Sequence, residues 1–308
     1  MSKSNVVGPG NFQRTGLRLI SGLLFSSLTG LVAYRRQSLD KSGVLGAIVS
    51  GTSIVGMGGW PWGLSLVYFF VSSSLLSAFR AQEKAIVASD KFSKGSQRDL
   101  SQVLANGGLA TLFALGYGFS RSPAMLRRAK AGFIGALATA TADTWATELG
   151  TLSTVSPRLI TNGMPVAPGT SGAVTPLGLA ASAIGACSFG FFFWTINGLR
   201  KSLSFAPYLA LISGMGGSCF DSFLGATFQA MYFCPICYTE TEQRIHHCGT
   251  HTEFLRGISW MNNDAVNFIS TAIGSVVAIF LDHFIALVSG LLHLEPSHSS
   301  SLNDEMIL

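Results

Sequence analysis

The sequence predicts an all-α, polytopic transmembrane bundle of about eight helices, carrying a small Cys-rich loop. Three observations lead there. Of 308 residues, 48% are hydrophobic and only 11% charged, against about a quarter charged in a soluble domain. The mean hydropathy is +0.43. Apolar runs of membrane length alternate with short polar connections, and ~20 apolar residues suffice to cross the hydrocarbon core. The net charge of +5 suits an anionic lipid face and, with so few charges, does not point to nucleic acid. The expected location is therefore a membrane, the cytoplasmic one in a bacterium, with several passes.

Taken in order, residues 1–16 are polar and expected to be disordered, followed by a transmembrane catalytic domain over 17–292 and a disordered tail over 293–308. Spans are expected at about 17–33, 43–59, 62–79, 100–119, 131–149, 175–197, 207–230 and 265–290. The first lacks a small-residue cleavage site and is taken as a span, not a removable signal. Pro61 marks a tight turn between the second and third. In the fourth, Gln102 and Asn106 follow Asp99 at helical spacing and share its face. In the seventh, Gly214, Ser218, Asp221 and Gly225 form a stripe of small and polar residues that permits close helix packing. The 150–174 connection is too long and too rich in Gly, Pro, Ser and Thr to be a mere link.

Ionisable groups inside apolar helices are costly and mark sites by default. Asp143 and Glu148 end the fifth span, Asp221 lies in the seventh and Asp264 opens the eighth. Isolated, such carboxylates would repel one another and protonate, so a cation or a basic partner is expected among them. Oxygen ligands suit Mg²⁺, held by Asp143 and Asp221 with Asp264 or Glu148. Asp143 and Glu148 stand five apart, about 140° around an ideal helix, so they share a site only if it is wide or the helix unwinds. Arg158 and the turn Gly169-Thr170-Ser171-Gly172 offer a guanidinium, backbone amides and hydroxyls to an anion. Lys91, Lys94 and Arg98 add positive charge, while Asn106, Asn263 and Asn267 can orient ligands. Neither a Walker motif nor a G-x-S-x-G elbow occurs. Separately, Cys234-Pro-Ile-Cys237 and Cys248-Gly-Thr-His251 within the 231–263 loop have the spacing of a small structural zinc ribbon. His246 and His247 are alternative fourth ligands.

These stretches resemble one known integral membrane family, formerly labelled only as a domain of unknown function. It includes transmembrane protein 19 and the phytyl-phosphate kinase of tocopherol synthesis. The matching segments are SLDKSG at 38–43, KFSKGSQRDLSQVLANGG at 91–108, ADTWATELG at 142–150, PRLIT at 157–161, PGTSGAVTPLG at 168–178, GSCFDSFLGAT at 217–227 and WMNNDAVNF at 260–268. They run in family order across most of 35–290. The resemblance implies a membrane prenyl-phosphate kinase. A nucleoside triphosphate, CTP in the plant enzyme, would phosphorylate a phytyl- or geranylgeranyl-type monophosphate in prenyl-lipid salvage. The expected partners are thus the nucleotide, the lipid phosphate and the membrane. Ser96 and Ala173 replace glycines expected from the family pattern, and the Cys loop looks like an accessory of a bacterial branch. A transporter or lipid flippase with intramembrane carboxylates is the rival reading; it predicts polar groups distributed across the membrane.

Overall fold

The computed structural model describes residues 9–88 and 97–292. The expected disordered termini, from 1 to 8 and from 293 to 308, fall outside them, as do Lys91 and Lys94. Residues 9–16, expected to be disordered, instead belong to the first helix.

Among the described residues, eight helices have 18 or more residues: α1 (Pro9–Arg35), α2 (Lys41–Gly58), α3 (Trp60–Ala78), α5 (Leu100–Phe119), α6 (Pro123–Gly150), α7 (Pro176–Ile196), α8 (Ala206–Thr227) and α9 (Asn263–Leu292). The short α4 (Ala81–Ala88) follows α3. Five of the long ones, α1, α3, α7, α8 and α9, are long and apolar enough to cross a membrane. Long helices thus stand at all eight expected positions, and five of them have the apolar composition of a crossing. Local chemistry sets the ends. Asp40 caps α2 by accepting from the Gly43 amide at 2.7 Å, Asp99 and Gln102 form a capping box on α5, and Thr175 caps α7 ahead of Pro176.

α6 is the axis. It packs against α3, α5, α7, α8 and α9, and every residue from Ala131 to Ala142 is buried. That is possible because the run is mostly Ala, Gly and Thr, whose small side chains let neighbouring backbones approach. A side chain at Gly135 would come within 2.4 Å of the Gly274 carbonyl of α9, and one at Gly217 of α8 would strike Thr139. The outer faces are the reverse: Leu24, Leu28, Ile184, Phe280 and Phe284 are exposed, as lipid contact requires.

Two small sheets complete the fold. β1 (Arg158–Leu159) and β2 (Ala173–Val174) pair antiparallel between α6 and α7. β3 (Met231–Cys234), β4 (Thr239–Thr241) and β5 (Glu253–Arg256) form an antiparallel ribbon of order β4-β3-β5 between α8 and α9. It occupies the Cys-rich loop.

Because the Gly274 carbonyl cannot move aside, Gly135→Leu should destabilise the bundle by about 1–3 kcal/mol. Thermal unfolding in detergent should show a lowered Tm, while Gly116→Ala, where an added Cβ meets nothing within 4 Å, should leave it unchanged.

Candidate functional site

A basin of about 660 Å³ opens between α5, α6, α8, the 157–175 connection and the start of α9. Asp143 and Asp221 line it from neighbouring helices. Ser218 donates to Asp143 Oδ1 at 3.3 Å. Asp221 lies three residues after Ser218, so it projects from the same face of α8. Its Oδ2 is buried and has no hydrogen-bond partner. Among the described residues, no Lys or Arg forms an ion pair with either carboxylate. Two half-buried acids without a basic partner among the described residues need a proton or a cation. Their hard oxygen donors fit Mg²⁺.

Glu148 also lines the basin, and α6 stays helical through Gly150, so the 140° separation is met by a wide site and not by unwinding. Its charge, however, is already matched. Lys84 Nζ of α4 donates to Glu148 Oε2 at 2.5 Å, and Ser77 of α3 donates to Oε1 at 2.5 Å. Lys84 spends its other donors on the Leu76 and Ser77 carbonyls at 2.6 and 3.1 Å. Glu148 therefore ties α6 to α3 and α4, and is not placed as a free metal ligand.

Arg98 enters the basin together with Gln102 and Asn106 of α5. Its backbone is clamped by the residues just before α2: Asp40 N donates to Arg98 O at 3.1 Å and Arg98 N to Ser38 O at 3.0 Å. Ser42 Oγ accepts from the Leu100 amide, and a Cβ on Gly43 would fall 2.2 Å from Arg98 O. The 38–43 segment thus holds Arg98 in place. The guanidinium lies 5.7 Å from the Phe70 ring centre, a cation–π distance.

The Gly169-Thr170-Ser171-Gly172 turn lines the opposite wall. Gly169 and Gly172 have φ of +77° and +80°, the left-handed region that favours glycine. Gly172 also packs so closely on α8 that a Cβ would meet the Ala226 amide at 2.3 Å. Asn263 and Asn267, four apart at the start of α9, line the basin together. Asp264, roughly 100° around the helix from Asn263, is not among the lining residues. Neither is Arg158: it is exposed, and its Nη1 donates to the Gly163 carbonyl at 2.7 Å across its own loop. Hairpin pairing at β1 turns this side chain away from the basin.

The Cys-rich ribbon requires one correction. Cys234, Cys237, His246 and Cys248 bring their ligand atoms within 4.8 Å of one another; His251, the expected fourth ligand, does not join them. The Ile245↔His251 bridge puts His251 on the exposed side of the turn, while His246 is 1% exposed. Hydrogen bonding from Thr250, and then from His246, draws the Cys248 thiol down to about 5. Hydrogen bonding with Cys248, with burial adding to it, pushes Cys237 up to about 11.

Several basin residues carry no sequence motif of their own. Lys84 of α4, Gln229 after α8, and Glu242 and Gln243 after β4 reach it. A second, apolar cleft lies beside it between α1, α2, α3 and α5, and shares Arg98, Gln102 and Asn106 with the basin.

Residues 24–275 match the family described as integral membrane protein DUF92. The chain is 33% identical to Arabidopsis thaliana Protein PGR over 288 residues, covering 87% of this chain and 97% of that one. It is 29% identical to a membrane protein of Methanocaldococcus jannaschii, over 87% of this chain and 95% of the other. A Synechocystis membrane protein is 28% identical over 72% of this chain and 74% of its own length. No solved structure matches.

If Glu148 is a tie held by Lys84, Lys84→Met leaves a half-buried carboxylate unpaired and should lower stability by up to about 3 kcal/mol. The Lys84→Met/Glu148→Gln double variant should lose less than the sum of the two singles, as a double-mutant cycle in thermal unfolding will reveal.

Proposed function

The chain belongs to the DUF92 family of multi-pass integral membrane proteins, and from that premise we propose that it is a phosphotransferase acting on an amphiphilic lipid phosphate. One observation carries the reading: the polar basin and the apolar cleft share Arg98, Gln102 and Asn106. A molecule with an anionic head and a hydrocarbon tail would set its head among the carboxylates and the start of its tail against that shared wall; the cleft itself holds only about 80 Å³, so the rest of a long tail would lie along the outer helix faces in lipid. The family resemblance supports a prenyl monophosphate as acceptor and a nucleoside triphosphate, CTP, as donor.

Phosphoryl transfer depends on positioning and charge neutralisation more than on covalent groups. Asp143 and Asp221 would hold Mg²⁺, which when bound neutralises the donor's phosphates. Arg98 faces the same space, and backbone amides of the Gly169–Gly172 turn supply further anion contacts. Asn106, Asn263 and Asn267 orient the two substrates. An oxygen of the acceptor phosphate attacks the γ-phosphorus in line; the bond from that phosphorus to the β–γ bridging oxygen breaks. A nucleoside diphosphate leaves and a prenyl diphosphate remains. The acceptor is already an anion near neutral pH, so no strong base is required. The transport reading expects polar groups through the membrane thickness. Instead, the buried centre of α6 offers only Thr139 and Thr141 as polar side chains, each bonded to a carbonyl.

The decisive assay offers purified protein Mg²⁺, CTP or ATP, and geranylgeranyl monophosphate. Diphosphate should form. Asp143→Asn and Asp221→Asn should each reduce turnover by about 100-fold or more, whereas Arg158→Ala should change it by no more than a few-fold. Turnover of geranylgeraniol in place of its phosphate would move the reaction one step upstream. Folded protein that transfers phosphate to neither acceptor would overturn the phosphotransferase reading.

A further inference from the structure

The ribbon between α8 and α9 is small, has little apolar core and yet presses against the basin. Its two turns have the form of metal knuckles. In the first, the Cys237 amide donates to Cys234 Sγ at 3.4 Å, and Tyr238 takes a φ of +52° as the chain doubles back. In the second, the Gly249 amide donates to the His246 carbonyl at 2.8 Å, and Gly249 takes a φ of +82°. The turns converge so that Cys234 Sγ and Cys248 Sγ stand 3.7 Å apart, and His246 Nδ1 stands 3.3 Å from Cys248 Sγ. A tetrahedral zinc ion with Zn–S near 2.3 Å and Zn–N near 2.05 Å requires separations of about 3.8 and 3.5 Å between such atoms. A disulfide would need the sulfurs at about 2.05 Å. The imidazole is buried, with sulfur for its Nδ1 and no partner for its Nε2. Nδ1 is the ring atom turned toward the sulfurs, as an ion at their centre requires.

The ribbon is also fastened to the basin. Gln229, 2% exposed, lies between α8 and β3. Its Oε1 accepts from Ser171 Oγ of the glycine turn at 2.6 Å, and its Nε2 donates to Glu242 Oε1 at 2.8 Å. Glu242 follows β4 directly. Arg256 of β5 donates to the Gly225 and Ala226 carbonyls at the end of α8. The ribbon thus grips both the end of the Asp221 helix and the glycine turn packed on it.

We propose that Cys234, Cys237, His246 and Cys248 bind one structural zinc ion, and that this ion fixes the ribbon that holds Ser171 in place through Gln229 and Glu242. Four protein ligands close the coordination shell, so the ion takes no substrate. The metal site stands whichever reaction the basin supports.

Two measurements on the full chain in detergent test it, neither using turnover. Elemental analysis and zinc-edge X-ray absorption should find about one zinc per chain with three sulfur neighbours and one nitrogen. His246→Ala and Cys248→Ser should lose the metal, and His251→Ala should keep it. Protein that neither carries zinc nor takes it up from buffered solution, that holds iron in its place, or that retains full zinc in His246→Ala, overturns the assignment. Amide hydrogen exchange over 168–173 tests the grip. Stripping zinc from the unmodified chain with a chelator should speed exchange there about tenfold or more. Gln229→Ala should do the same with its zinc retained. Unchanged exchange in the stripped chain would sink the coupling and leave only the metal.

Discussion

Asp143 and Asp221 impose the strongest constraint on this molecule. They sit on neighbouring helices without a basic partner among the described residues, and desolvating one carboxylate costs several kcal/mol. A protein that keeps both must supply a cation, a proton or a polar basin. The basin does the last and invites the first. Ser218 satisfies one oxygen of Asp143, and Asp221 Oδ2 is buried without a hydrogen-bond partner. Glu148 is the instructive contrast. Only five residues further along α6, it is matched by Lys84 and Ser77 and serves as a joint between helices. Residue type alone does not separate a scaffold carboxylate from a functional one; the partner does.

The carboxylates can face each other only because the helices that bear them approach closely. α6 and α8 meet through Gly214, Gly217, Ala138 and Thr139, where an added Cβ on either glycine would collide with the opposing helix. Close packing in a bilayer gains nothing from apolar burial, since lipid tails are apolar too; it rests on dispersion and on small side chains. α6 carries Arg127, Arg128 and Lys130 near its start and Asp143 and Glu148 near its end. Those charged flanks, and not its Ala- and Gly-rich centre, give α6 the length of a span without the apolar composition of α7 or α9.

Much of this was legible in the sequence. Caps, prolines and glycines delimit the helices locally, so the segments from Lys41 to Gly58 and from Leu100 to Phe119 begin and end close to where their sequence signals stand. The two aspartates in apolar helices announced themselves by cost. What escaped sequence reading depends on pairing over long separations. Nothing near Glu148 indicates that Lys84, 64 residues earlier, will neutralise it. Arg158 looked like a phosphate clamp because it neighbours the glycine turn, but strand pairing at Arg158↔Val174 leaves its side chain free to bond Gly163. The zinc knuckle spacing fitted His251 as well as His246; only the fold of the turn around Gly249 distinguishes them. The matched segment at 38–43 had no evident role until its backbone was seen to brace Arg98.

That brace leads to a broader point about how this architecture separates its tasks. Arg98 stands where an apolar cleft meets a polar basin, and an arginine there is exposed to two conflicting environments. Its guanidinium rests beside the Phe70 ring and near Ser74, its backbone is pinned to Ser38 and Asp40, and the next residue, Asp99, caps α5. Three elements, α3, the segment before α2 and the start of α5, therefore determine where one charge lies. On the far side, the glycine turn is determined by Gln229, Ala226 and the ribbon. The two walls of the basin are held by separate devices, a helix-cap clamp on one side and a Cys/His-braced ribbon on the other, joined through α6, α8 and α9. Such a division lets the ribbon vary without disturbing the cleft. It leaves Asp143 and Asp221 on the α6–α8 seam between the two walls.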